Sequence, residues 1–202
     1  MWFVGRSVNY AVARWPASWV LLRGPAKRFF DKVARDWDER VQSSSVEFLA
    51  PLVAGLDRVT SRPARILDIG TGTGAAAFEL VARFPYSRVI GIDISEEMIA
   101  QANAKATRDA NVRFLVADIA HFDPDESFDL ITMLNMPPFF ARVVALLKPG
   151  GFVINASSYG SRTPFYTSPR TLAHGFEQLG LRTIAAERAG AGTFYLAELP
   201  SA

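Results

Sequence analysis

Apolar positions along the chain fall into blocks of two kinds. Arg65 to Ile69, Arg88 to Asp93, Val112 to Ala117, Phe128 to Leu134 and Phe152 to Ala156 are short, mostly apolar runs. That is the pattern of strands buried on both faces of a parallel sheet. Between them the apolar residues recur three and four apart. Ala75 to Ala82 reads as a helix stopped before Pro85, and Glu96 to about Arg108 as one carrying Met98, Ile99, Ala102 and Ala106 on a single face. Phe139 to Leu147 reads as a third, started by Pro137-Pro138. Val46 to Val59 predicts a helix that leads through Ser61-Arg62-Pro63 into the first strand. Strands alternating with helices predict an α/β chain. After the fifth strand, Ser157 to Thr167 reads as a polar and aromatic loop. Ser168-Pro169 then caps a helix with Leu172, Phe176 and Leu179 on one face. Leu181 to Glu187 and Thr193 to Leu199, joined by Gly190-Ala191-Gly192, predict a terminal β-hairpin.

Composition narrows this. With 202 residues, 50% of them hydrophobic, one α/β domain with a sizeable core fits and a second does not. The expected division is a helical cap segment over 1–45, part of the same domain, and a core over 46–202. There is no cysteine and there are two separated histidines, which argues against a disulfide framework and against a metal site. A net charge of +2 does not point to DNA or RNA. Trp15 to Leu22 is too short an apolar stretch for a membrane span and no signal peptide is read, so a cytoplasmic location is expected. The first thirty residues hold five cations and no acid, against +2 for the whole chain, so the rest sums to −3. Trp2, Phe3, Tyr10, Trp15, Trp19, Phe29 and Phe30 lie among those cations. Two readings stay open: a roof over a ligand pocket, or a basic amphipathic segment on a membrane surface.

The first strand runs into Asp68-Ile69-Gly70-Thr71-Gly72-Thr73-Gly74 and then a helix. Glycines there allow positive φ and let a ligand lie against main chain, with helix N-terminal amides facing a crevice at the strand's carboxyl end. The spacing also fits a dinucleotide fingerprint. Asp68 argues otherwise, because a carboxylate there repels a pyrophosphate and attracts an ammonium group. Asp93 ends the second strand nineteen residues beyond Gly74, close to the spacing at which an acid meets ribose hydroxyls.

In these residues the chain resembles the class I S-adenosylmethionine-dependent methyltransferases, whose first motif is an acid followed by GxGxG. Leu147-Lys148-Pro149-Gly150-Gly151 is a further family feature, and Phe29 to Asp38 is similar to the F-x-x-x-A-x-x-(Y/W)-D segment that precedes many such cores. The resemblance spans roughly residues 29 to 202. It implies a Rossmann-like fold with a mostly parallel seven-stranded sheet, an antiparallel terminal strand and helices on both faces. It also implies S-adenosylmethionine as cofactor, with Asp68, Gly70, Thr71, Gly72, Gly74, Asp93, Ile94, Met98, Asp118, Ile119, Asn135 and Trp37 as its contacts. In the family the acid at Asp118 meets the adenine amino group and the next amide a ring nitrogen. Asn135-Met136-Pro137-Pro138-Phe139 invites comparison with the N-P-P-(Y/F) motif of amine-directed members, but Met136 interrupts it. Backbone carbonyls around Leu134 and Asn135 are then the expected partners of the cofactor ammonium.

The expected activity is methyl transfer to a small, apolar or aromatic acceptor by in-line displacement, for which a dedicated base is optional. Tyr159, Tyr166 and His174 are the candidates for orienting or deprotonating it. Alternatives are a lipid or quinone methyltransferase held at a membrane surface, and a cofactor-binding protein without turnover.

Overall fold

The computed structural model describes residues 11–106 and 111–201. Expectations for Trp2, Phe3, Tyr10 and the end of the helix near Arg108 lie outside them. The chain begins its core with α1 (Trp19–Val33), the short α2 (Trp37–Val41) and α3 (Val46–Leu56). Then follow β1 (Arg65–Ile69), α4 (Ala75–Arg83), β2 (Arg88–Asp93), α5 (Glu96–Lys105), β3 (Val112–Val116) and β4 (Phe128–Leu134). It closes with α6 (Phe140–Leu146), β5 (Leu147–Ser157), α7 (Pro169–Glu177), β6 (Arg182–Ala189) and β7 (Gly192–Glu198).

The seven strands form one sheet in the order β3-β2-β1-β4-β5-β7-β6. β1 to β5 are parallel, and β7 runs antiparallel to both β5 and β6. The terminal hairpin thus inserts its second strand beside β5 and leaves β6 at the edge, where exposed Arg182, Glu187 and Arg188 discourage further pairing. Side chains alternate between two buried layers. Leu67, Ile69, Ile92, Ile131 and Met133 pack with Phe176 and Tyr195 on one face, while Ile66, Leu130, Ile154 and Phe194 pack with Leu52, Leu56 and Leu80 on the other. Burial on both faces is why the strands read as apolar runs rather than alternating ones.

The expected helix stop at Lys148 to Gly151 takes a different form. β5 already begins at Leu147, and Gly150, at φ 78°, turns its N–H to the Leu199 carbonyl at 2.6 Å. The glycine lets the strand start bend while still paired to the C-terminal chain.

Candidate active site

Where the parallel strands end, the β1–α4 loop, the tips of β2, β3 and β4, the inner face of α1 and the 159–165 loop enclose a cavity of about 490 Å³. Its floor is Ile69 to Thr73. Gly70, Gly72 and Gly74 all take positive φ, and a Cβ on Gly72 would meet nothing closer than 4.0 Å. Gly72 therefore presents bare backbone to the cavity. Gly70 is committed differently, because the Met136 side chain fills the place of its absent Cβ. The residue that interrupts the Asn-Pro-Pro pattern thus packs onto the first glycine of the loop.

Gly70, Thr71, Gly72, Asp93, Ile94, Met98, Ile119, Asn135 and Trp37 all line the cavity. Asp93 retains surface only partly, as a side chain at the cavity wall. Its Oδ2 accepts from the Gly72 N–H at 3.0 Å and its Oδ1 from the Ser95 N–H at 2.9 Å. Burial pushes its carboxyl up to about 6 against those hydrogen bonds, and Asp31 adds to the rise.

Three of the expected contacts, Asp68, Asp118 and Gly74, are not on the lining. Asp68 is 1% exposed and lies beneath the floor, not on the lining. In the sheet it stands beside Thr132, whose hydroxyl donates to Oδ1 at 2.8 Å, so its side chain shares the face of the α3/α4 layer. Oδ2 meets no hydrogen-bond partner among the described residues, and neither does the Thr71 hydroxyl, although that hydroxyl is near enough to favour the charged carboxylate. Burial pushes Asp68 up to about 6, with the Asp93 charge adding to it.

Asp118 is also off the main lining. Its Oδ1 accepts from the Trp19 indole at 2.7 Å and its Oδ2 from Arg23 at 3.0 Å, so α1 holds the carboxylate expected at the adenine edge. Burial raises this group, but the Ala120 N–H, Trp19 and Arg23 outweigh it and keep it below the usual carboxylate range. Asn135, at φ 57°, faces the cavity but spends its amide on Ser158. It donates to the hydroxyl and accepts from the N–H, both at 2.9 Å. Its backbone N–H donates to the Ala156 carbonyl at 2.8 Å, and the amide keeps one further N–H and one further lone pair. Gly74 is covered by Phe78 and Phe114 and serves the helix start instead.

Of the three candidates for handling the acceptor, Tyr159 lines the cavity, its ring 6.4 Å from that of Phe48. Tyr166 is not on the lining. His174 is exposed on α7, because Leu172 and Phe176 set the buried face of that helix and leave position 174 outside.

Sequence reasoning missed how the N-terminal segment is fastened. Besides the Trp19 and Arg23 bonds to Asp118, Asp31 accepts from the Ser95 hydroxyl at 2.7 Å and Asp38 accepts from the Thr73 hydroxyl and from Lys105. One acid or indole of the segment thus reaches each of the three loops that follow β1, β2 and β3. The signal lies in Phe29 to Asp38, whose closing acid stands opposite the Thr73 hydroxyl. For Asp31 and Asp38 burial works upward, while hydrogen bonds from Lys27 and Ser95, and from Lys105, Ser43 and Thr73, hold both carboxyls down. α1 buries Trp19 edge-on against Phe139, with ring centroids 5.3 Å apart. Its inner face roofs the cavity.

Residues 66–151 match the model of a family described as methyltransferase domain. The chain is 31% identical over 147 residues to malonyl-[acyl-carrier protein] O-methyltransferase 2 of Ilyobacter polytropus, covering 68% of this chain and 55% of that protein. It is 37% identical over 125 residues to trans-aconitate 2-methyltransferase of Acidovorax sp., covering 57% and 47%. The chain thus spans about half the length of these curated relatives. Among solved structures, an S-adenosylmethionine-dependent methyltransferase from Aquifex aeolicus superposes with a TM-score of 0.64 at 20% identity, over 77% of this chain and 93% of that one.

Proposed function

We propose that this chain, which belongs to the class I S-adenosylmethionine-dependent methyltransferases, transfers the cofactor's methyl group in line to a small apolar or aromatic acceptor. One observation carries the reading. The cavity joins a bare glycine floor and a partly open carboxylate, Asp93, to a roof built of Phe29, Phe30, Trp37 and Phe165. The bound cofactor supplies an electrophilic methyl on a sulfonium. The chain's own residues do the rest. Gly72 offers main chain for the amino-acid tail, and Asp68 below it supplies a buried negative charge that suits the tail's ammonium. Asp93 accepts from the ribose hydroxyls. Met98, Ile94 and Ile119 supply an apolar slot for the adenine, and the Ile119 N–H a donor. The aromatic roof of Phe29, Phe30, Trp37 and Phe165 excludes water and holds the acceptor behind the methyl, so that proximity supplies most of the acceleration.

Titration calorimetry tests the cofactor side. S-adenosylmethionine and its demethylated product are expected to bind and NAD is not; the reverse result overturns the assignment. Transfer of labelled methyl into a metabolite extract tests the reaction itself.

A second reading concerns the outer face of α1 and the turn before it. No described helix is long and apolar enough to cross a membrane. Yet Trp15 is 62% exposed, Val20 58% and Leu21 80%, beside exposed Arg14, Arg28, Lys32 and Arg35. Such a face suits an anionic bilayer surface. Because the opposite face of α1 roofs the cavity, point variants test this better than truncation. Wild type is expected to pellet with phosphatidylglycerol vesicles and a Trp15→Ser, Leu21→Ser double variant to stay in solution. Equal behaviour of the two removes this reading.

A further inference from the structure

The cavity is short of bases. Among the described residues its titratable lining consists of Asp93, Tyr159 and Arg162. Asp93 faces the ribose side and is tied to the Gly72 and Ser95 amides. Tyr159 brings a hydroxyl and Arg162 a guanidinium, whose N–H groups are donors only. His174 and Tyr166 stand off the lining. Among the described residues the lining therefore holds no imidazole, no amine and no carboxylate outside these bonds to take a proton from an ammonium or an un-ionised hydroxyl as a bond to carbon forms. An acceptor suited to this cavity arrives with its lone pair already free.

The charge of the lining selects among such acceptors. Arg162, exposed on the 160–162 turn, lines the cavity with its guanidinium carbon 6.0 Å from the centroid of the Tyr159 ring. Phe165, three residues on, lies 6.2 Å from Phe30 in the roof. A planar cation beside an aromatic slot matches a carboxylate on an apolar body, since the guanidinium fork pairs with both oxygens or with one and leaves the other to react.

We infer that the acceptor is an apolar-bodied carboxylic acid, bound as its anion with Arg162 at its charged end and methylated on a carboxylate oxygen. This rests on the methyltransferase reading above. The O–CH3 bond forms as the S–CH3 bond breaks, the bonding pair returns to sulfur, and the products are an ester and a thioether with no proton released. A positive and a negative centre cancel in the step. An apolar, water-poor cavity favours that cancellation, because the separated charges lose more solvation than the transition state does.

The test uses benzoate, 2-naphthoate and decanoate, each paired with its amide of nearly the same shape. Binding is measured by calorimetry on protein saturated with the demethylated cofactor, for wild type, Arg162→Gln and Arg162→Lys. At least one acid is expected to bind wild type about tenfold or more tightly than its amide. Arg162→Gln is expected to abolish that preference and Arg162→Lys to keep part of it. Failure of every acid, equal affinity of acid and amide, or an unchanged preference in Arg162→Gln overturns the inference. Affinity for the demethylated cofactor, measured on each chain, separates the two levels. If it is absent in wild type the cofactor reading fails, and if it is present without acid preference only the acceptor class fails.

Discussion

Asp93→Ala is expected to weaken S-adenosylmethionine binding by about 1–3 kcal/mol, roughly five- to 150-fold, the scale of lost charge-assisted hydrogen bonds. Two losses combine. The ribose hydroxyls lose their acceptor, and the Gly72 and Ser95 amides lose the carboxylate that now ties the glycine loop to the β2–α5 turn. Calorimetry on a variant whose circular dichroism matches wild type checks it. An unchanged dissociation constant would rule out the ribose role. Asp93→Asn separates the two losses, since an amide oxygen can still accept from one backbone N–H while offering the ribose no charge.

Asp68→Asn should move stability and binding in opposite directions. In the protein without cofactor, the Asp68 carboxyl is 1% exposed with one oxygen unpartnered, and burial lifts it to about 6. Its unfolded value is the ordinary 3.8. Between those values the folded state holds more protons than the unfolded one. Stability therefore falls as pH rises from about 4 to about 6 and stays lower above that. Removing the charge is expected to stabilise the cofactor-free protein at pH 8 by on the order of 1–3 kcal/mol, with little gain at pH 4. Cofactor affinity should fall about tenfold or more, because the buried negative charge beneath the loop is what favours the cofactor's cations. In wild type the same logic makes affinity weaker at pH 5 than at pH 8. Scanning calorimetry across pH 4–8 and titration at both ends read these out. A variant that is less stable than wild type at pH 8, or that binds as well, would remove Asp68 from the account.

Together the two acids explain why the site tolerates raised carboxyls. Each is shifted to about 6 chiefly by burial, and in each a neighbouring carboxylate, Asp93 for Asp68 and Asp31 for Asp93, adds to the rise. Carboxylates elsewhere behave oppositely. Asp129, bonded to Lys148 and to the Ala64 and Arg65 amides, is held down despite its burial, as a structural ion pair is.

Strand and helix identities were legible along the chain because burial on both faces leaves unbroken apolar runs and a buried helix face recurs every three to four residues. The glycine floor, Asp93 at its spacing, and Met98 and Ile119 on the lining were legible for the same reason, since each is set by its distance from a strand end. Side-chain destinations across the chain were not. Asp118 meets Trp19 and Arg23, some hundred residues earlier, Asp38 meets Thr73, and Asn135 turns to Ser158. No local pattern encodes such pairs. His174 shows the same limit from the other side, since whether a residue between two apolar positions faces a pocket or solvent depends on what covers the helix. The sequence by itself determined the order of elements, the glycine loop and the acids at the strand ends, because these follow from local periodicity and backbone sterics. Only the tertiary structure decided which acids face the cavity and which are held by α1, and that Arg162 is the cation on the lining among the described residues, because those outcomes depend on packing between segments far apart in the chain.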